Sequence, residues 1–304
     1  MAEIYLHHFD ASPFAEKVRI ALGIKQLSWR SVQIPMVMPK PDLTVLTGGY
    51  RKTPVLQIGA DVYCDTQLIS GVLERVGQGP ALFPDASEAL CHNMASFADT
   101  FLFRPGAGLS LGTNLDLPED ILADRFAFFD FLDRKTLPGQ LEDLFAQFRA
   151  GLQRLEDMLT DGRAFLLGEQ PGWADAACYA PVWMSRGNIR GADSLLEKLP
   201  RLQAWEQRVS DLGHGQRSEC PTEQALAAAL ESEPLDETVL AEDRLPGLEP
   251  GVAVSVAPND YGAVPVEGEL TRLTQYEVAL RRQDDRVGEI VVHFPRIGYK
   301  VTAA

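Results

Sequence analysis

Hydrophobic and polar positions follow three different rhythms along this chain. Up to about residue 80, short apolar runs alternate with a helical spacing. Glu3 to Phe9 reads as a strand, and Ser12-Pro13 opens a helix, serine being a good N-cap and proline favoured in the first turn. Phe14, Val18, Ala21 and Leu22 recur at helical spacing. Trp29 to Gln33 reads as a second strand, and the three prolines between Pro35 and Pro41 predict a loop. Two short strands from Pro54 and from Val62, split by Gly59-Ala60-Asp61, predict a hairpin. Asp65-Thr66 then caps a helix running to about Arg75. The order is βαβ, loop, ββα.

From 86 to about 230 the spacing is three and four. Helices are predicted at 86–103, 119–132, 139–160, 173–186 and 198–212, with Arg104 to Pro118, rich in Gly and Pro, as an irregular loop. Glu231 to Asp243 holds six acidic residues and no basic one, and reads as part of a linker over 231–249. After Pro250 the period is two: Val252, Val254 and Val256; Val264, Val266 and Leu270; Tyr276, Val278 and Leu280; Ile290, Val292 and Phe294; Tyr299 and Val301. Breaks of turn composition fall at Pro258 to Gly262, Asp284 to Gly288 and Pro295 to Gly298. Five short strands with one apolar face predict a small barrel at 250–304.

Composition narrows the function. At 304 residues and 45% hydrophobic, the chain can bury two or three cores. A net charge of −15 argues against nucleic acid and anionic membranes as partners. Four scattered cysteines, without a CxxC or Cys/His cluster, indicate neither a disulfide framework nor a metal site, and point to a reducing compartment. No signal-peptide pattern and no apolar run of about 18 residues is found, so a cytoplasmic location is expected.

Three fragments could carry chemistry. In Ser12-Pro13-Phe14-Ala15-Glu16-Lys17-Val18-Arg19 a hydroxyl stands at a helix N-terminus, where an anion is stabilised and a thiol ionises more easily. In Arg51-Lys52-Thr53-Pro54-Val55-Leu56 a proline opens a strand; a cis bond there would aim the Val55 backbone at an extended peptide. In Asp65-Thr66-Gln67 an acid and a hydroxyl at a helix start can take an amine and a carboxylate together. Taken singly, the first and third also read as plain helix caps. Cys64 reads as a small buried hydrophobe. His7 and His8, on opposite faces of a strand, offer at most one base. Phe97, Phe101, Phe103 and Trp183 line either a substrate pocket or a core.

Order and spacing say more than any one fragment. The run strand, SPFAEKVR helix, Pro-rich loop, KTPVL, CDTQLI resembles glutathione transferases over the first 80 residues. Phe165-Leu-Leu-Gly-Glu-Gln-Pro171-Gly-Trp-Ala-Asp175 looks like that family's turn into the buried helix of its second domain, so the likeness covers about 230 residues. It implies an α/β thioredoxin-like N-terminal domain (1–80), an all-α helical domain (86–230) and, joined by the acidic linker, the small barrel-like β domain (250–304). The last looks like the β-rich extension of a subset of bacterial and fungal transferase-like proteins; its role is either to brace or to close over the site. The resemblance carries Ser12 onto the serine-type catalytic hydroxyl and Pro54 onto the family's cis-proline. Val55 then pairs the cysteinyl backbone of glutathione, Asp65 and Thr66 hold its γ-glutamyl end, and Lys52 and Thr53 belong to the same binding stretch. His8 stands where tyrosine-type members keep their tyrosine, and Gly172 where the helix turn usually has Ser or Thr.

The expectation is a homodimeric glutathione transferase, with glutathione as co-substrate, no metal, and a small hydrophobic electrophile as partner. The other readings are a non-catalytic glutathione-binding module, and a glutathione-dependent lyase or isomerase.

Overall fold

The computed structural model describes residues 3–235 and 245–304. Residues 236–244 of the expected linker lie outside the described residues. The chain divides into two units. One takes in the chain up to Ser12, Ser28–Val72 and Arg217–Ala304; the other takes in Pro13–Leu27 and Leu73–Gln216.

The first unit is built on one mixed sheet. Strands β1 (Tyr5–His8), β2 (Ser28–Gln33), β3 (Val55–Ile58) and β4 (Asp61–Cys64) form the thioredoxin-like part, with β1 parallel to β2 and antiparallel to β3. Helix α1 (Pro13–Ile24) leaves β1 immediately after Ser12, and α3 (Thr66–Val76) begins two residues after β4. A short helix, α2 (Pro41–Thr47), follows the proline run where only loop was expected. Its proline opens the first turn, and it stops at Gly48, whose φ of 75° suits a residue without a Cβ.

The five expected C-terminal strands are present: β6 (Ala253–Pro258), β7 (Val266–Leu273), β8 (Glu277–Asp284), β9 (Gly288–Pro295) and β10 (Tyr299–Ala303). They join the first four strands in one sheet. Strand β9 pairs parallel to β4, and β10 ends the sheet beside β6, giving, with β5 (Gln216–Glu219) at the far edge, the open order β10-β6-β7-β8-β9-β4-β3-β1-β2-β5. The physical reason is the edge of β4. Left alone, its backbone groups would face water; β9 covers them, so the strands bury their apolar face without closing a ring. Val62 lies opposite Val292, Val292 opposite Leu280 and Leu280 opposite Leu270, a single apolar row across four strands. These side chains share a core with Leu43, Leu46, Tyr50, Val55, Phe294 and Tyr299. A bulge between Leu270 and Arg272 shifts the alternation in β7, so that Thr271 and Leu273 are buried as well.

Residues 217–230, assigned to the helical part from their spacing, belong to the first unit. Strand β5 (Gln216–Glu219) extends the sheet beyond β2, and α11 (Thr222–Leu230) buries Leu226 and Ala229 in the sheet's core.

The second unit is helical: α1, α4 (Glu88–Phe97), α5 (Arg104–Gly112), α6 (Glu119–Phe128), α7 (Leu141–Met158), α8 (Trp173–Asn188), α9 (Asp193–Leu196) and α10 (Pro200–Asp211). The irregular loop expected from Arg104 is instead helix as far as Gly112, joined to α4 through a wide π-helical turn at Ala98–Phe103. Pro105 sits in the first turn of α5, where no N–H is required. The glycines serve packing: a Cβ on Gly106 would stand 2.7 Å from the Met184 methyl. Composition mimicked a loop because close helix contact also selects glycine. Among the described residues, no helix is long and apolar enough to cross a membrane.

Candidate functional site

Strand register brings the predicted fragments to one end of the sheet. His7 lies opposite Val55, and Val55 opposite Cys64. Pro54 and Asp65 therefore flank the same end of the hairpin, and β1 runs out toward Ser12 at that end. The Thr53–Pro54 peptide is cis. Asp65 has a φ of 76°, in the left-handed region that Asp tolerates better than most side chains. One of its carboxylate oxygens accepts the Gln67 backbone N–H at 2.9 Å, the Asx-type cap expected at the start of α3. The hydroxyl of Thr66 is in the first residue of the helix and makes no hydrogen bond to any described residue, although Thr66 is only 7% exposed. Ser12 is buried, its backbone N–H donating to Phe9 in a tight turn at 3.0 Å.

Residues that were not read from the sequence join Thr53, Lys52 and Asp65 at this end. Lys40 is buried, donates to the Thr53 hydroxyl at 3.0 Å and stands over the Phe9 ring. Lys52 is held by Asp260 and lies 4.3 Å above the ring of Tyr261. The Tyr299 hydroxyl donates to the second oxygen of Asp65 at 3.0 Å and lies 2.9 Å from that of Tyr50. Burial, with the Asp65 charge adding to it, raises both phenols well above their ordinary pKa, so both remain protonated. The only sequence signal for Tyr299 was its place in the apolar parity of the last strand. Nothing marked Asp260, since a turn aspartate ordinarily faces water.

Several candidates resolve into structure. His7 shares a hydrogen bond with Gln57 at 2.8 Å; burial, only partly opposed by that bond, lowers its pKa to about 4. His8 lies 3.0 Å from the Ser31 hydroxyl and packs edge-on to Trp29. Cys64 is buried, and burial followed by the Asp65 charge pushes its thiol well above the usual range. The charged residues of the SPFAEKVR stretch also turn inward. Lys17 pairs with Asp99, and Glu16 binds Arg19 at 2.6 Å and His214 at 2.9 Å, all within the helical unit. Phe103 packs against Phe14 as core, whereas Phe101 is exposed.

In the helical unit, Asp175 does the work expected of the family's helix turn. It accepts from the backbone of Gly172 at 2.9 Å, from that of Leu166 at 2.8 Å and from the Trp205 indole at 2.8 Å. Glycine at 172 has a local reason: a Cβ there would stand 3.0 Å from the Leu82 carbonyl oxygen. Among the described residues, no cluster of His, Cys, Asp or Glu is arranged to hold a metal ion.

Comparison with known proteins identifies the family. The family profile "Glutathione S-transferase, N-terminal domain" matches residues 6–81, and "Glutathione S-transferase, C-terminal domain" matches 138–208. A GST-like protein from Pseudomonas syringae is 36% identical; the match covers 100% of both chains with a TM-score of 0.81. It therefore includes the C-terminal strands. A Tau class glutathione S-transferase from mango, Mangifera indica, is 17% identical over 70% of this chain and 94% of its own, with a TM-score of 0.53. A glutathione S-transferase from Rhodospirillum rubrum F11 is 21% identical over 68% and 87%, also with a TM-score of 0.53. These last two show the fold alone. A comparison with curated protein sequences finds no match. Two family profiles, one on each side of the fold, and a full-length relative above 30% identity place the chain in the glutathione S-transferase family.

Proposed function

We propose that the protein binds glutathione at the end of the sheet that carries Pro54 and Asp65, and that it conjugates the glutathione thiol to a small hydrophobic electrophile. The observation that carries the binding is the Asp65-Thr66 step. A carboxylate fixed by its own cap and a neighbouring hydroxyl without a protein partner fit the γ-glutamyl ammonium and carboxylate. Val55, after the cis-proline, takes the cysteinyl backbone. Thr53, held by Lys40, and Lys52 complete the binding stretch.

Glutathione supplies the nucleophile as its thiolate. The protein's part is to favour that ionised form. In this reading the Ser12 hydroxyl donates to the sulfur, helped by the N-terminal end of α1. Lowering a thiol pKa by about two units needs about 2.7 kcal/mol, and one hydrogen bond to a charged acceptor contributes about 1.5–3 kcal/mol. A second reading, a glutathione-binding protein without conjugating activity, is favoured by one observation: Ser12 is only 3% exposed. A glutathione-dependent lyase or isomerase would use the same binding residues.

Calorimetry tests the binding. Wild type should bind glutathione, and Asp65→Ala should weaken it at least tenfold, about 1.4 kcal/mol. Absence of binding by wild type at millimolar glutathione would refute the reading. Turnover with glutathione and a panel of electrophiles then separates conjugation from binding alone. Light scattering tests the homodimer that the reading includes.

A further inference from the structure

We infer that the C-terminal strands set the charge preference of the ligand site. Tyr299 acts as a positioning residue on Asp65, and Asp260 cancels the charge of Lys52. This rests on the reading of Asp65 and Lys52 as glutathione-binding residues.

The first contact is rigid. Tyr299 opens β10, is 4% exposed, and its ring packs on Phe294 and Tyr50 at centroid distances of 5.5 and 6.5 Å. A phenol has one proton. Tyr299 commits its own to Asp65, so in the 2.9 Å contact Tyr50 is the donor and Tyr299 the acceptor. The relay Tyr50 to Tyr299 to Asp65 points toward the carboxylate, and each bond polarises the next. With the Gln67 N–H on the other oxygen, the carboxylate is fixed from two sides. Each oxygen still has a lone pair for an ammonium group. The relay therefore orients Asp65 without filling it.

The second contact acts on charge. Lys52 has 14% of its side chain exposed; its ammonium meets the Asp260 carboxylate and the face of the Tyr261 ring, both from the turn after β6. Glutathione carries two carboxylates and one ammonium. With the γ-glutamyl end on Asp65 and Thr66, a free Lys52 would attract the glycyl carboxylate. Paired with Asp260, it offers that carboxylate almost no net charge. Asp260 is 40% exposed and sits on a turn, which makes it the replaceable member of the pair. The site so built selects γ-glutamyl thiols by their amino-acid end and takes no charge preference at the glycyl end from Lys52.

Calorimetry with two ligands, glutathione and its glycyl ethyl ester, tests this on the full chain. Wild type should bind both within about threefold, less than one unscreened charge pair would produce. Asp260→Asn should free Lys52 and favour glutathione over the ester by about tenfold, the size of one charge-assisted bond. Tyr299→Phe should weaken both ligands by a similar factor of about five to ten, and should add nothing in an Asp65→Ala background, the signature of action through Asp65. If Asp260→Asn leaves the ratio unchanged, or Tyr299→Phe adds its full effect to Asp65→Ala, the inference is wrong. If wild type binds neither ligand, the glutathione reading itself fails, a result distinct from either.

Discussion

His293 sits at the seam between β9 and β4, and replacing it should cost more than any single exposed ion pair. Its Nδ1 lies 2.6 Å from Glu277 and its Nε2 2.9 Å from Asp61, with all three side chains less than a tenth exposed. Arg272 reaches Glu277 at 3.3 Å, and the Tyr63 ring stacks on the imidazole at 4.5 Å. Two carboxylates, one imidazolium and one guanidinium balance to zero. Removing the imidazole leaves Asp61 and Glu277 buried without their shared partner, a change that typically costs about 3–5 kcal/mol. Burial pulls the His293 pKa down, but the bonds and charges of Asp61 and Glu277 outweigh it, and the net direction is up. Burial pushes Glu277 up, while the His293 and Arg272 contacts bring it below its usual value.

The signs follow. His293 contributes fully below its unfolded pKa of about 6.5, and the contribution fades as pH rises through the higher folded value. Glu277 contributes fully above its unfolded pKa of about 4.3, and the contribution is lost as pH falls through the lower folded value. The cluster therefore stabilises most between roughly pH 4.5 and 6.5. Urea unfolding of wild type and His293→Ala, followed by circular dichroism near pH 6 and near pH 9, reads the difference. The gap should be several kcal/mol at the lower pH and narrower at the higher one. A gap under about 1 kcal/mol near pH 6, the range of an exposed pair, or one that widens toward pH 9, would refute the argument.

Three further outcomes follow from the same geometry. Ser12→Ala should raise the pH midpoint of thiolate formation, read by ultraviolet absorbance of bound glutathione; an unchanged midpoint would leave Ser12 as a helix cap. Asp175→Ala strands three buried donors and should cost at least about 3 kcal/mol in urea unfolding, each orphaned donor contributing about 1–3 kcal/mol; a loss below about 1 kcal/mol would show that water replaces the carboxylate. A chain ended at Leu230 exposes the β4 edge and half of an apolar core, and should be insoluble; a soluble, folded product would show that the strands are an addition to an independent domain.

Local patterns carried much of this fold. The βαβ, loop, ββα order, the buried turn at Asp175 and the five C-terminal strands were readable, because each depends on residues a few positions apart. What the sequence misled on involved longer distances or double meanings. Period two told which face of each tail strand was apolar but not that β9 would find β4 as its neighbour. Gly106 and Gly108 look like loop residues in one dimension and are packing residues in three. At the candidate site, Asp65, Thr66 and Pro54 were picked out by the family resemblance, which rests on the order of their fragments along the chain. Tyr299 and Asp260 had no such mark, since their partners lie 234 and 208 residues away along the chain.

The continuous sheet also constrains when the protein can fold during synthesis. Asp61 meets His293 across a separation of 232 residues, and β5 is made only after the helical unit. The helical unit is complete once Gln216 has emerged, and can form while the ribosome is still at work. The sheet-bearing unit cannot, because β4 waits for β9, which is made only after the helical unit. Until then β4 is an open template for pairing with another nascent chain. Slow translation or truncated messages should therefore leave a product with folded helices and an adhesive half-sheet, and demand for chaperones should concentrate in the interval between the synthesis of β4 and that of β9.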